Sequence, residues 1–374
     1  MATVEPAATL APIAERAAAP ARLPEITAGD LTWRPATVAD APALLELHNT
    51  IAAADGVPDR EVLDEVTDLF DAPWRRFDTD TLLGFDAAGR LRAEGWVETP
   101  PGDVRTLRVF LDGGVHPDRR GEGIGRELFA WQVARGRQVM AESGKELPAR
   151  LAVFTDDDVP AAKLRLYERA GFTPCRYYAD LRRDLRDLES APLPDVPLDG
   201  SLRIVPFSTE LDEAARLAHN DAFRDHWGSE PKSPEQWTHS RACFVPRWSH
   251  LVVDDDPDVE ALLADPRTDD ETAAALRAGE PLVVGYAMNE LFEGDFTTRG
   301  YTFGYTAILG TRKAYRGRKA GLAALVASMR SFAEDGMEYA CLGVDTANPS
   351  GAHGLYAHVG YTLAYGSRLL SIEL

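Results

Sequence analysis

One pattern occurs twice in this chain, far apart. A basic, glycine-bearing stretch opens a run with helical periodicity; Leu-Tyr follows, and four residues after the tyrosine comes glycine and then an aromatic. The first copy reads Arg120-Gly121-Glu122-Gly123-Ile124-Gly125, then Leu166-Tyr167-Glu168-Arg169-Ala170-Gly171-Phe172. The second reads Arg316-Gly317-Arg318-Lys319-Ala320-Gly321-Leu322-Ala323, then Leu355-Tyr356-Ala357-His358-Val359-Gly360-Tyr361. The two tyrosines stand 189 positions apart. That period is far too long for a solenoid unit and indicates duplicated domains. The length of 374 residues agrees, because one core seldom serves so long a chain.

Between the copies, the segment from Ser190 to Gly200 carries three prolines and neither helical period nor strand alternation, so it reads as a linker. The expected organisation is a disordered Ala/Pro-rich leader over 1–29, domains over 30–187 and 201–374, and the linker over 188–200. Each half reads as α+β. In the first, strands are expected at Thr81–Phe85, Ala93–Glu98, Arg105–Leu111 and Arg150–Phe154. Ile124, Leu128 and Trp131 form one helical face, and Gly171 ends a later helix. In the second, strands are expected at Leu202–Val205, Leu251–Val253, Leu282–Met288, Thr302–Leu309 and Cys341–Val344. A long helix there buries Leu322, Leu325, Val326, Met329 and Phe332.

A helix start presents unpaired N–H groups and the positive end of the helix dipole, so it favours anions, and glycine lets a phosphate approach the amides. Arg120 and Arg126 add charge in the first copy. In the second, Arg312, Lys313, Arg316, Arg318 and Lys319 supply five cations within eight residues, a local reversal in a chain of net charge −20. Two familiar phosphate sites fail on spacing. No Gly-Lys-Ser/Thr follows either loop, and Arg126 stands where a dinucleotide fold needs its third glycine.

These residues resemble the signature of the GNAT superfamily of acyl-CoA-dependent N-acetyltransferases, Arg/Gln-x-x-Gly-x-Gly/Ala opening a helix. Arg120-x-x-Gly123-x-Gly125 matches it, as does Arg318-x-x-Gly321-x-Ala323. Aligning Arg316 with Arg120 instead sets Lys319 where Gly123 stands. Leu166-Tyr167 with Gly171-Phe172, and Asn348 through Leu355-Tyr356, resemble the superfamily's downstream motif; the first half lacks the asparagine. The tandem arrangement is similar to that of the mycothiol synthase-like proteins of actinobacteria.

The resemblance implies two GNAT-like domains, each a mixed, splayed β-sheet flanked by helices. It implies acetyl-CoA as co-substrate, no metal, and direct attack of a small amine on the thioester. Cofactor contacts are implied for Val115, Arg120, Gly121, Gly123, Ile124, Gly125 and Arg126 in the first half. In the second they are implied for Leu309, Thr311, Arg316, Gly317, Arg318, Lys319, Ala320, Gly321, Leu322, Ala323 and Asn348. Tyr167 and Tyr356 are implied as the acids that protonate the leaving thiolate. One half being a non-catalytic acyl-CoA-binding domain, and an acyl-CoA sensor without turnover, are the competing expectations.

An alkyl amine with a pKa near 10.4 is almost wholly protonated at pH 7, so a base or desolvation must free it. Glu98, Asp112 and Glu290 stand at expected strand ends, but the residues do not single out a base. His226 and Trp227, with Trp237 and Trp248, make either an aromatic pocket for a cation or ordinary core packing. The histidines show no metal-ligand spacing. Ten acids between 254 and 280, against Arg267 and Arg277, read as a solvated loop.

The acidic balance argues against nucleic acid, the lack of a long apolar run against a membrane span, and three dispersed cysteines for a reducing cytoplasm. A monomer or homodimer is expected.

Overall fold

The structure, a computed structural model, describes residues 10–239, 241–347 and 352–374. They form two compact units. The first comprises residues up to 57, 72–175 and 368–374; the second comprises 58–71 and 176–367.

In the first unit, β1 (Thr32–Arg34), β2 (Thr81–Phe85), β3 (Leu91–Glu98) and β4 (Leu107–Val115) pair antiparallel in sequence order. β5 (Ala149–Asp156) then joins parallel to β4. On β4, Leu107, Val109 and Leu111 alternate into the core, where Phe129, Leu151, Tyr167 and Phe172 meet them. Helix α1 (Ala41–Asp55) precedes β2, α2 (Ile124–Glu142) links β4 to β5, and α3 (Ala161–Arg169) follows β5. On α2, Ile124, Leu128 and Trp131 are buried as their spacing requires. Gly171 adopts φ 93° just past α3, which favours glycine and stops the helix.

β4 runs further than the sequence suggests, through Asp112-Gly113-Gly114. The cause is its register with β3, which pairs Gly113 with Gly95 and Gly114 with Glu94. A Cβ on Gly113 would lie 2.6 Å from the Glu94 carbonyl oxygen, so glycine permits the close approach.

The compact units depart from the contiguous spans 30–187 and 201–374. The first unit is completed by the last seven residues. Leu370 is fully buried in its core, Ala149 and Leu374 exchange two 2.8 Å backbone hydrogen bonds, and Arg150 pairs with Glu373 at 2.6 Å. A strand's sequence records its buried face but not which edge it will pair with.

The leader expectation is also corrected. Residues 1–9 lie outside the described residues, but from residue 10 onward the segment packs on the first unit. Ile13 and Ala17 are buried in its core. Arg16 donates to the Leu147 carbonyl at 2.6 Å, and the amides of Thr27 and Ala28 both donate to Glu127.

The second unit repeats the plan. β7 (Leu202–Pro206), β8 (His250–Asp254), β9 (Leu282–Glu290) and β10 (Phe303–Thr311) pair antiparallel, and β11 (Tyr339–Asp345) joins parallel to β10. The stretch Tyr178–Asp184 of β6 (Thr173–Asp184) then pairs antiparallel with β11. Helices α4 (Asp212–Ala222), α5 (Ala320–Glu334) and α6 (Ala352–His358) complete it. The acidic stretch is no simple loop. It forms short helices at Val259–Ala264 and Asp270–Ala278, whose N-caps are Asp258 and Asp269, with Ala273 and Leu276 buried. Its acids act as caps and ion-pair partners, as Glu271 does for Arg216 and Asp269 for Arg224.

Among the described residues no helix is long and apolar enough to cross a membrane.

The closing strand yields a stability test. Leu370→Ala should cost about 2–5 kcal/mol, the usual penalty for emptying a buried leucine site. Urea unfolding followed through a probe in the first unit measures it; a loss below about 1 kcal/mol would contradict the burial.

Candidate active site

β4 and β5 pair only from Leu107 to Phe110 and from Ala149 to Ala152. Beyond that point β4 continues to Val115 beside β3 alone, and β5 continues to Asp156. The parting opens a cleft of about 470 Å³, lined by the end of β4, the loop before α2, the start of α2 and one face of α3.

At the outer end, Gly123 caps α2 with φ 91°, and Arg126 and Glu127 direct their amides back to its carbonyl. Nothing lies within 4 Å of where a Cβ on Gly121 would stand, so the loop backbone is open there. The cations differ in freedom. Arg120 is held by Asp55 through two contacts of 2.5 and 3.2 Å, and Arg119 pairs with Glu122 at 2.9 Å. Arg126 is 75% exposed, with Glu127 no nearer than 3.6 Å.

At the inner end, Tyr167 projects from α3. Its ring packs on Phe129 at 5.0 Å and is 7% exposed. Burial raises its pKa; the positive charge of Lys163, one helical turn earlier, opposes that rise. Burial also works against the charge on Lys163. Tyr167, Asp112, Asp55 and Glu94 outweigh it, and the lysine's pKa is raised. Glu94 is buried on β3, with Nε2 of His48 3.9 Å from its Oε1.

Of the residues expected in the first half, Val115, Arg120, Gly121, Gly123, Gly125, Arg126 and Tyr167 line this one cleft. Ile124 does not. Its side chain turns inward beneath the loop with Ala93 and Leu128, leaving only its backbone on the cleft side. Sequence reasoning missed Lys163, Asp55 and Glu94. The signal for Lys163 was its place four residues before Tyr167, on the same helical face. For Glu94 no local signal exists, since only the β3–β4 register brings it beside Gly114.

In the second unit β10 and β11 also part, after Thr306 and Leu342, and β10 carries a bulge between Thr306 and Ile308. Lys319 caps α5 in the left-handed region at φ 64°, where the first unit has glycine. Arg316 donates to the Ala222 carbonyl, Arg318 lies over the Tyr315 ring, and Arg312 is buried on the Val283 carbonyl. Thr311 Oγ1 closes over Gly321, 2.6 Å from a Cβ position. Ala320 and Ala323 are buried, and Leu309 and Leu322 pack against the core, so these residues bring backbone to the strand gap and loop. Gly317, like Gly121, has open space beside it. Tyr356 is 7% exposed, and burial alone pushes its hydroxyl up to about 12. Asn348 lies outside the described residues.

Among the carboxylates considered as bases, Asp112 lines the first cleft and Glu98 pairs with Arg75 at 2.8 Å. Glu290 ends β9; burial, then Glu65, pushes it up to about 7. The aromatic pocket is not formed. Trp237 and Trp248 are buried in the core, with their ring N–H groups donating to Asp212 and Asp335, and Trp227 lies against Arg176.

Against this geometry stand the comparisons with known proteins. No family model matches the chain. A mycothiol acetyltransferase of Frankia casuarinae is 34% identical over 165 residues, 43% of this chain but only 41% of that protein. One of Thermobispora bispora is 29% identical over 343 residues, spanning 87% of this chain and 94% of its own length. A GCN5-related N-acetyltransferase structure from Sphaerobacter thermophilus superposes with TM-score 0.63 at 22% identity, over 93% of this chain and 97% of that one. A tandem GNAT protein from the clavulanic acid biosynthesis pathway gives 0.61 at 16% identity, over 92% and 98%. The chain has the α+β, tandem GNAT fold and is similar along most of its length to mycothiol acetyltransferases.

The shifted carboxyl in the second unit sets a pH test. Glu290 has a folded pKa above its unfolded value, so the folded state keeps the proton longer. Its contribution is therefore most favourable below about pH 4 and is lost as pH rises through 7. Glu290→Gln should match the parent protein at pH 4 and exceed it at pH 8 by about 1–3 kcal/mol in urea unfolding. Equal stability at both pH values would refute the shift.

Proposed function

We propose that the chain is an acetyl-CoA-dependent N-acetyltransferase for a small amine, and that the first unit's cleft takes the acyl-CoA. One observation carries this reading: a glycine-bearing helix start with an exposed arginine stands at one end of the gap between two parted parallel strands, and a buried tyrosine stands at the other. The N-acetyltransferase names of the similar proteins support the activity.

The backbone of the loop fits a diphosphate. The amides of Ile124 and Gly125, which precede the first internal hydrogen bonds of α2, stand at the loop, Gly121 leaves room, and Arg126 adds a mobile charge. Along the gap, the edge of β4 past Phe110 has no strand partner on the β5 side, so its polar backbone groups are available to the amides of a pantetheine arm. Acetyl-CoA supplies the activated acyl group. The protein supplies position, a dry wall of Leu111, Leu128 and Phe129, and proton traffic.

A neutral amine attacks the thioester carbonyl carbon, the C–S bond breaks, and Tyr167 gives its hydroxyl proton to the departing thiolate. Asp112 stands on the same cleft wall and can take the proton that the amine sheds.

A second reading, with both units loaded, is favoured by the open space at Gly317 and by the exposed Lys319 at the start of α5. Tyr356 is then the counterpart of Tyr167.

Two variants test these roles. Gly123→Glu should abolish acetyl-CoA binding at the first unit in calorimetry; the remaining stoichiometry counts sites in the second, and undiminished binding would refute the loop assignment. Tyr167→Phe should lower kcat for CoA release, measured across an amine panel, by about 10²-fold or more, with acetyl-CoA affinity within about threefold. An unchanged kcat would remove the tyrosine from the chemistry.

A further inference from the structure

The amino-terminal segment reaches the rim of the first cleft as well as the core. Residues 26–29 lie across the start of α2, the helix whose opening loop forms the cleft's outer end. Ile26 and Ala28 pack against the small core of Ala93, Ile124 and Leu128. The amides of Thr27 and Ala28 both donate to Oε2 of Glu127, at 2.8 and 2.9 Å. On the loop side, the Gly29 carbonyl accepts from Nη2 of Arg119 at 2.7 Å. Gly29 takes φ 78°, and a Cβ there would stand 2.4 Å from Cδ1 of Ile124, so the close approach needs glycine. Arg119 and Gly123 line the cleft, and Cβ of Ala28 lies 3.7 Å from where a Cβ on Gly123 would stand.

Glu127 is the residue on which these contacts turn. It stands in the first turn of α2, beside the amides offered to a diphosphate, where a carboxylate repels any anion that binds. Its other oxygen, Oε1, lies 3.6 Å from Nη2 of Arg126, the exposed arginine of the loop. Electrostatics alone make Glu127 unfavourable to the ligand twice over: it repels the phosphates, and it draws on the cation that would meet them. Its structural contribution is a tie. The carboxylate accepts two charge-assisted hydrogen bonds from main-chain amides distant in sequence, Ala28 and then Thr27, and they hold its carboxyl below the usual range.

We propose that Glu127 is a positioning residue for the acyl-CoA loop: by gripping the Thr27 and Ala28 amides it keeps residues 26–29 clamped over Ile124 and Arg119, so that the loop from Arg119 to Gly125 is in its binding conformation before the diphosphate arrives. This inference rests on the reading of the first cleft as the acyl-CoA site. It makes the amino-terminal segment part of that site without any contact to the ligand, because a loop ordered in advance spares the ligand the entropy of ordering it.

The sign of one substitution separates this role from plain electrostatics. Removing a carboxylate beside an anion site ordinarily tightens anion binding. Glu127→Ala should instead weaken, by about fivefold or more, the acetyl-CoA binding event that Gly123→Glu abolishes, read by calorimetry on the full-length protein. Glu127→Gln removes the same charge but keeps a carbonyl oxygen able to accept both amides, so it should bind at least as tightly as the parent. Amide exchange followed by NMR without ligand gives an independent readout. Thr27 and Ala28 should exchange about tenfold faster or more in Glu127→Ala, and near the parent rate in Glu127→Gln. Unchanged or tighter binding in Glu127→Ala, or amides that exchange there as in the parent, would overturn the proposal. So would a Glu127→Gln protein that binds weakly with its amides still protected.

The two readings fail separately. If Gly123→Glu removes no binding, the cleft assignment is wrong, whatever the amides do in Glu127→Ala. If Gly123→Glu removes binding but Glu127→Ala leaves that event unchanged, the clamp is wrong and the cleft assignment stands.

Discussion

A β-sheet tolerates a parting between two parallel strands only where something else satisfies the backbone on both sides, and the first unit is organised around such a parting. β4 keeps β5 as a partner for four residues and then relies on β3 alone. The consequence is a strip of main chain that must find hydrogen bonds from water, side chains or a ligand. Gln132 on α2 meets part of the need, donating to the Asp112 carbonyl at 2.5 Å and to the Trp96 carbonyl at 3.1 Å. The glycines of the same stretch permit it. At Gly113 the backbone of β3 lies too close for any side chain, and at Gly114 the space is held by Ile51. The strands can diverge because β3 and α2 hold β4 in place, and the cleft is what remains.

The two units show how one plan can be kept while its chemistry diverges. Both part their central strands and both open a long helix from a left-handed residue. In the first that residue is glycine; in the second it is Lys319, which accepts a conformation that costs a side-chain-bearing residue roughly 1 kcal/mol or more. The second loop is richer in cations, yet Arg312 and Arg316 spend their donors on backbone carbonyls of their own unit and Arg318 lies on a tyrosine. The number of basic residues in the sequence thus overstates the charge available to a ligand, and the placement of those residues understates how similar the two backbones are.

What could be read before folding was local. A helix start with glycine and arginine carries its chemistry within a few residues, so Gly121, Gly123, Gly125 and Arg126 were legible and line one cleft. Tyr167 was legible because its motif repeats. Glu94 and Asp55 were not, since packing that no short window encodes places both: the register of β3 against β4 sets Glu94 beside Gly114, and the docking of α1 brings Asp55 to the cleft. The closing strand of the first unit was illegible for the same reason, as Leu370 and Ile372 alternate like any strand and say nothing of their partner. The leader failed differently. Its Ala/Pro composition suggested disorder, whereas Ile13 and Ala17 enter the core of the unit and Arg16, Thr27 and Ala28 hydrogen-bond to it.

A net charge of −20 stands against the polyanion site proposed for the first unit only until the range of the interaction is considered. At physiological ionic strength exposed charges are screened within about 8 Å, so a phosphate responds to its nearest neighbours and hardly to the sum over the chain. Near the first loop those neighbours are three arginines, and each has a carboxylate close by: Glu122 for Arg119, Asp55 for Arg120 and Glu127 for Arg126. The pairs are not equivalent. Asp55 is largely buried and grips Arg120 through both oxygens, so that guanidinium is oriented before any ligand arrives and cannot leave its carboxylate without stranding it. Arg126 is exposed and loosely paired, free to swing onto a phosphate at little cost. On the proposed reading the loop divides its labour: a fixed arginine that shapes the rim, a mobile one that adds charge, and backbone amides whose dipoles carry no counter-ion to displace. The favourable field at this helix start is built from a few groups within one screening length, and the acidity elsewhere is left to serve solubility and helix capping.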